Sequence, residues 1–293
     1  MRRQIFFGLS EPTDWSREQE WNRWYSTMHQ LDLSRTRGLQ EYGRYLNLLP
    51  SFPPAQSKYA VLYYFDSTDF VDSMIHMCVD IDQWTIAEGR HIDWHCGRGD
   101  AFCGVAAPTD RAPVPRRVYA RSPTPMGLAT LAERFRANRA AAVPAVYDLQ
   151  DFGRHQSRYV PPLAPRALVL LFLSCQRPGS GEELEHWARE TWPGIEVFRK
   201  FAIARMDYCL IHAIEGPDVL AGATAFFEDV EQRCARGQCF DDAVGYSYVL
   251  QQIDAQGFER MVTADYARDP ARYPYIADGT IEAMVGMLRA ASR

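Results

Sequence analysis

The chain has 293 residues, a formal net charge of −5 and an ordinary hydrophobic share of 47%. The length suits two compact domains or one large one. The mildly acidic balance, with no lysine- or arginine-rich tract, excludes a general attraction to nucleic acid or anionic membrane. No apolar run reaches the roughly 18 residues a transmembrane helix needs. The apolar core of the first ten residues is too short for a signal peptide, and Glu11 and Asp14 follow at once. The seven cysteines (Cys78, Cys96, Cys103, Cys175, Cys209, Cys234 and Cys239) are odd in number and contain no C-x-x-C. That pattern favours free thiols in a reducing cytoplasm over a disulfide framework, and it disfavours a structural zinc site.

In chain order, residues 3–10 read as a strand. Ser16 with Gln19 reads as a capping box opening a helix that runs to about Met28, with Trp21, Trp24, Tyr25 and Met28 on one face. Residues 42–48 and 59–65 read as strands. A second helix starts after residues 66–69, with Phe70, Met74, Met77, Ile81 and Trp84 on one face. A fourth strand begins at 92–96 and is extended or replaced by 102–106.

A second pass begins at Ala167. Residues 168–174 form an almost wholly apolar strand, 181–198 a helix, and 201–206 and 208–214 strands. A helix with Pro217 in its first turn runs to about Arg236, and 243–253 is a last strand, with a helical tail at 280–291. Each pass is therefore β-α-β-β-α-β, the ferredoxin-like order. Ile5 corresponds to Leu168 and Trp24 to Trp187, both at an offset of 163 positions. The expected fold class is α+β, with two tandem ferredoxin-like units closing an eight-stranded barrel around a cavity. The expected units are 1–108, a linker or lid at 109–165 with one helix at 127–142, and 166–293.

The order of elements, together with Asn22, Arg23, Trp24, Tyr25, His29 and Asp32 followed by Gly38, Arg44 and Tyr45, resembles the dimeric α/β-barrel superfamily, in particular its EthD-like branch. The second pass keeps Trp187 but puts Trp192 where His29 would be. The resemblance spans roughly 1–108 and 166–265. It implies a barrel fold without implying one reaction: such proteins include cofactor-free monooxygenases, cyclases, dehydratases, isomerases, decarboxylases and haem enzymes.

The candidate catalytic residues are His29 with Asp32, His212 with Tyr208, and His95. His29 can be a general acid or base with Asp32 fixing its tautomer, or it can cap the helix C-terminus. Tyr208, Leu210, His212 and Ile214 share a strand face that looks either into the barrel or toward the helices. His95 shares a face with Asp93. Tyr25, Arg44, Tyr45, Trp94 and Trp192 are the candidate substrate-binding residues. His76, His91 and His186 read as solvated, and His155 lies in the linker. No P-loop, dinucleotide fingerprint or G-x-S-x-G elbow is present.

These observations point to a cytoplasmic enzyme of lyase, dehydratase, isomerase or cyclase type. It would perform histidine-assisted proton transfer on a small apolar or aromatic carbonyl or phenolic compound. No cofactor and no metal are expected, with haem or a metal ion as the alternatives. The alternatives in function are an oxygenase of the same fold, cofactor-free or haem-dependent, and a non-catalytic small-molecule-binding protein. The expected partner is a small molecule, with neither nucleic acid nor membrane, and a homodimer is left open.

Overall fold

The computed structural model describes residues 3–34, 36–48, 58–92, 95–103, 125–146, 167–201, 206–216 and 218–255. The helix at 280–291, Pro217 and His155 lie outside them. The fold is α+β and is built on a nine-stranded antiparallel sheet. The first half supplies β1 (Arg3–Pro12), β2 (Leu39–Asn47), β3 (Tyr59–Asp66) and β4 (His95–Cys103). A short β5 (Met126–Gly127) follows, and the second half supplies β6 (Ala167–Cys175), β7 (Glu196–Lys200), β8 (Tyr208–Ile214) and β9 (Ala243–Ala255). The strand order is β2-β3-β1-β4-β7-β8-β6-β9-β5, and β2 also pairs with β9. Phe102 and Cys103 on β4 meet Lys200 and Arg199 on β7, and Asn47 on β2 faces Leu250 on β9.

Strand alternation divides the side chains between two faces. One face carries Ile5, Phe7 and Leu9 from β1, Leu62 from β3, Leu168, Leu170 and Phe172 from β6, Ile211 from β8, and Tyr246, Tyr248 and Leu250 from β9, all packed as one apolar cluster. Phe7 touches Phe172 and Tyr248, with ring centroids 4.9 and 5.2 Å apart, so the two halves meet through their aromatic rings. Phe7 is 1% exposed and Phe172 0%. Burying each such ring is worth about 1.5–3 kcal/mol. A cavity was expected between the halves, but this face is filled by its own side chains at the level of Phe7, Phe172 and Tyr248.

The other face is covered by helices. In the first half these are α1 (Glu18–Trp24) and α2 (Gln30–Ser34), then α3 (Phe70–Ile75) and α4 (Ile81–Ala87). Each pair is joined by a π-helical segment, Tyr25–His29 and His76–Asp80. The first helix is capped differently from the capping box expected of Ser16 and Gln19. A 3-10 turn, Trp15–Arg17, precedes it, and Asp14 accepts from the Ser16 backbone N–H and hydroxyl. Asp69 caps α3 by accepting from the Asp72 N–H. Gly38 leads into β2 at φ 76°; a Cβ there would lie 2.8 Å from Ser67 Cβ, so glycine is required.

In the second half α6 is Gly181–Thr191 and α7 is Val219–Ala235. The helix expected over 181–198 stops at Thr191, because Pro193 and Gly194 (φ 88°) turn the chain. Residues Glu196–Lys200 become β7 instead. The helix expected in the central segment is α5 (Leu128–Val146). It packs on α7, with Phe135 stacked 4.4 Å from Phe227, and β5 pairs with β9. The described part of the segment is thus an added layer on the second half. Cys234 and Cys239 form a disulfide, correcting the expectation that all the thiols are free; Cys175 is a free thiol. No helix among the described residues is long and apolar enough to cross a membrane.

Candidate functional site

The first helix places its tryptophans and tyrosine against the sheet because their 3.6-residue spacing makes one apolar stripe. The π-helical segment then adds a residue to one turn and turns His29 back along the helix. Its imidazole is half-buried, stacks on Trp24 with centroids 4.9 Å apart, and lies 4.8 Å from the Tyr25 ring. His91, also half-buried, meets the edge of the same indole at 6.3 Å. Two imidazoles, an indole and a phenol therefore come together where the first helix ends and the chain approaches β4.

The floor of this cluster is a buried ion pair. Arg90 donates through Nε to Asp32 Oδ2 (3.0 Å) and through Nη2 to Asp32 Oδ1 (2.7 Å), and both residues are at most 5% exposed. The Arg90 carbonyl accepts from Trp24 Nε1 (2.8 Å), and its guanidinium lies 5.2 Å over the Trp84 ring. The Asp32 carboxylate is thus engaged in a bidentate clamp with Arg90. The clamp fixes the residue before His91 and, through Trp24, the surface on which His29 stacks.

Deeper under the helix, Arg44 is 1% exposed. Its guanidinium lies 4.6, 5.0 and 5.2 Å over the rings of Tyr25, Tyr59 and Trp21. It donates to the Asn22 carbonyl (3.3 Å) and to Asn22 Oδ1. The Asn22 amide donates to the Tyr59 hydroxyl (2.8 Å), which donates to Glu18 (2.7 Å). Tyr25 and Tyr63 are fully buried, and burial pushes both phenols above their ordinary pKa, Tyr63 furthest. At neutral pH they are hydrogen-bonding groups and not bases.

The other expected residues lie elsewhere. Tyr45 is on the opposite face of β2 from Arg44, inside the apolar cluster between the halves. His212 faces the helices, not the apolar face between the halves: its ring lies 4.8 Å from Phe226 on α7. Burial lowers the His212 pKa, opposed by Glu215. Tyr208 lies on that same face, packed against the helix-side core. Trp192 donates to Asp229 (3.0 Å) in the second half. The structure does not bring Tyr208, His212 or Trp192 to His29, because they belong to the other half's helix layer. His95 begins β4 opposite Pro12, and Trp94 lies outside the described residues. His76 accepts from the Arg37 N–H (3.3 Å), and His186 pairs with Glu190 (3.1 Å). Arg90 is not among the sequence candidates, and His91, expected to be solvated, is half-buried. Asp32 and Arg90 are 58 positions apart, and no spacing motif joins them.

No protein-family model and no curated protein sequence matches the chain. Solved structures do align with it over most of their length. One is chlorite dismutase from Candidatus Nitrospira defluvii in complex with imidazole, at 8% identity, TM-score 0.43, covering 89% of this chain and 94% of that one. A candidate chlorite dismutase aligns at 13% identity, TM-score 0.43, covering 87% and 96%. A candidate monooxygenase from Lactobacillus acidophilus NCFM aligns at 9% identity, TM-score 0.37, covering 85% and 93%. These structural neighbours are chlorite dismutase-like, dimeric α/β-barrel proteins. Chlorite dismutases are haem-dependent, and this corrects the expectation of a site without a cofactor, which is withdrawn. A haem seat needs an axial ligand aimed into an open apolar slot. Among the described residues the face between the halves is filled at Phe7, Phe172 and Tyr248, while His212 rests on Phe226 and His29 on Trp24. The described residues do not by themselves form such a seat.

Proposed function

We propose that this chain is a pair of tandem ferredoxin-like halves closing one eight-stranded barrel, of the EthD-like type that the Asn22–Asp32 stretch resembles, with a single asymmetric active site at the end of the first helix. There it acts on a small aromatic carbonyl or phenolic compound by histidine-assisted proton transfer, in a reaction of lyase, dehydratase, isomerase or cyclase type. The observation that carries this reading is the convergence of His29 and His91 on Trp24 beside Tyr25. An imidazole ordinarily titrates near neutrality and can both take and return a proton. The indole and the phenol ring offer a flat apolar wall for an aromatic ligand. Asp32 and Arg90 are positioning residues, because they hold Trp24 and the backbone before His91.

The test is conversion of a panel of substituted phenols and aromatic aldehydes by the purified protein, with the absorption spectrum and oxygen uptake recorded alongside. His29→Ala is expected to abolish conversion while leaving the thermal midpoint unchanged. Full activity in a folded His29→Ala protein removes His29 from the account. Oxygen uptake that depends on the compound supports the oxygenase reading of the same site, and a Soret band identifies a haem. A second reading, a non-catalytic small-molecule-binding protein, is favoured by the filled face between the halves. Saturable binding without conversion of any panel member supports it.

A further inference from the structure

The two halves end their second helices in the same way. α4 and α7 each close on a glycine in the left-handed region, Gly89 at φ 65° and Gly237 at φ 68°. The Gly89 N–H donates to the Ile86 carbonyl (3.1 Å) and the Arg90 N–H to the Thr85 carbonyl (2.8 Å). After α7 the Gly237 N–H donates to the Cys234 carbonyl (3.0 Å) and the Gln238 N–H to the Arg233 carbonyl (2.8 Å). These are the two bonds of a Schellman motif, which satisfies the last helix carbonyls. Each turn is then pinned by a tryptophan of the same half. Trp24 Nε1 donates to the Arg90 carbonyl and Trp187 Nε1 to the Gln238 carbonyl, at 2.8 and 2.9 Å. The correspondence sets Ile86 against Cys234 and His91 against Cys239, both at an offset of 148 positions.

What differs is covalent. A disulfide joins Cys234 to Cys239, whereas Ile86 is exposed and His91 meets the edge of Trp24. The first half thus holds this turn with a glycine, backbone bonds and an indole, and without a bridge. Cys234 and Cys239 are half-buried at the rim of the helix-side core, so a small thiolate can reach them, and exposed bridges are the labile ones. We propose that Cys234 and Cys239 are a reversible dithiol–disulfide couple, which exchanges with small thiols of the glutathione class while the barrel stays folded. One small thiolate attacks a bridge sulfur and breaks the S–S bond, leaving a mixed disulfide and a protein thiolate that takes up a proton. A second small thiolate attacks the small-molecule sulfur of the mixed disulfide, frees the other protein thiolate to be protonated, and leaves as the oxidised small disulfide. Two small thiols are oxidised and the protein disulfide is reduced. Opening the bridge releases the approach to β9, where Phe240 lies 6.0 Å from Trp187, from its covalent tie to α7. The couple lies in the other half from His29 and does not depend on the reading of that site.

The experiment equilibrates the whole chain with reduced and oxidised glutathione at graded ratios, alkylates it, and maps the labelled peptides by mass spectrometry. Nitrogen-15 spectra follow the Gln238 amide and the Trp187 indole N–H in the same samples. The expected result is one two-electron transition, in which Cys234 and Cys239 gain label together and lose it again when the ratio is reversed. Across that transition the Gln238 amide and the Trp187 indole N–H keep their slow exchange with solvent, because the Schellman bonds persist. The double variant Cys234→Ala with Cys239→Ala is expected to show the same slow exchange with no dependence on the glutathione ratio. Label that enters the two cysteines only in denaturant overturns the proposal, since the bridge is then a fixed part of the fold. So does a reduced chain or a double variant in which both protons exchange at the unfolded rate, because the turn then needs its bridge.

Discussion

Replacing Asp32 with alanine separates a structural carboxylate from a catalytic one. Asp32 is 1% exposed and Arg90 5%, and two hydrogen bonds of 2.7 and 3.0 Å join them. Removing one partner of such a pair leaves an uncompensated buried charge, which costs about 3–5 kcal/mol. With about 2–4 °C per kcal/mol, the thermal midpoint falls by roughly 6–20 °C. Denaturant unfolding followed by tryptophan fluorescence measures the loss, and Trp24, hydrogen-bonded to the Arg90 carbonyl, reports on it directly. The double variant Asp32→Leu with Arg90→Met removes both charges and is expected to recover most of the stability, since an apolar pair of similar volume is often as good as a buried ion pair. If Asp32→Ala costs less than about 1 kcal/mol yet abolishes activity, the clamp account is wrong and Asp32 works on His29.

Phe7→Ala opens the packed face between the halves and is expected to cost about 3–5 kcal/mol in denaturant unfolding; a cost near zero would mean that the face is not filled. Burial holds the His212 imidazole below its ordinary pKa of 6.5, so the unfolded chain takes up that proton first as pH falls. The stability His212 contributes is therefore whole above about pH 6.5 and is lost as pH drops toward the lower folded value. His212→Phe should flatten that acid limb in a pH series of melts, and an unchanged limb would refute it. Cys234→Ser opens a short loop whose closure is worth about 2 kcal/mol. The loss should appear in the oxidised protein and vanish under reductant.

The strands were legible where alternation or an all-apolar run dictated them. The runs at 168–174 and 59–65 are close to β6 and β3, because strands covered on both faces carry apolar residues throughout. Spacing alone predicts a helix over 181–198 because Val197 and Phe198 continue an apolar pattern past Pro193 and Gly194. Those two residues set the true boundary. The π-helical segments could not be read from spacing, since one inserted residue leaves the apolar stripe nearly intact while changing where His29 lies. Nearness in sequence points from Asp32 to His29 alone, whereas the ion-pair partner Arg90 arrives from 58 positions away. The face of His212 was a two-way choice in the sequence, and it was decided by the Phe226 ring on a helix that alternation along one strand does not see.

The central claim is one asymmetric site at the end of the first helix, and the imidazole resonances test it most directly. Carbon-13 spectra of the histidine rings, assigned by single substitutions, can be followed while the phenol and aromatic aldehyde panel is titrated in. The account predicts saturable shifts at His29 and His91, which share Trp24, with His212 on the other half unmoved. Shifts confined to His212, or none at His29 with any compound that binds, would contradict it.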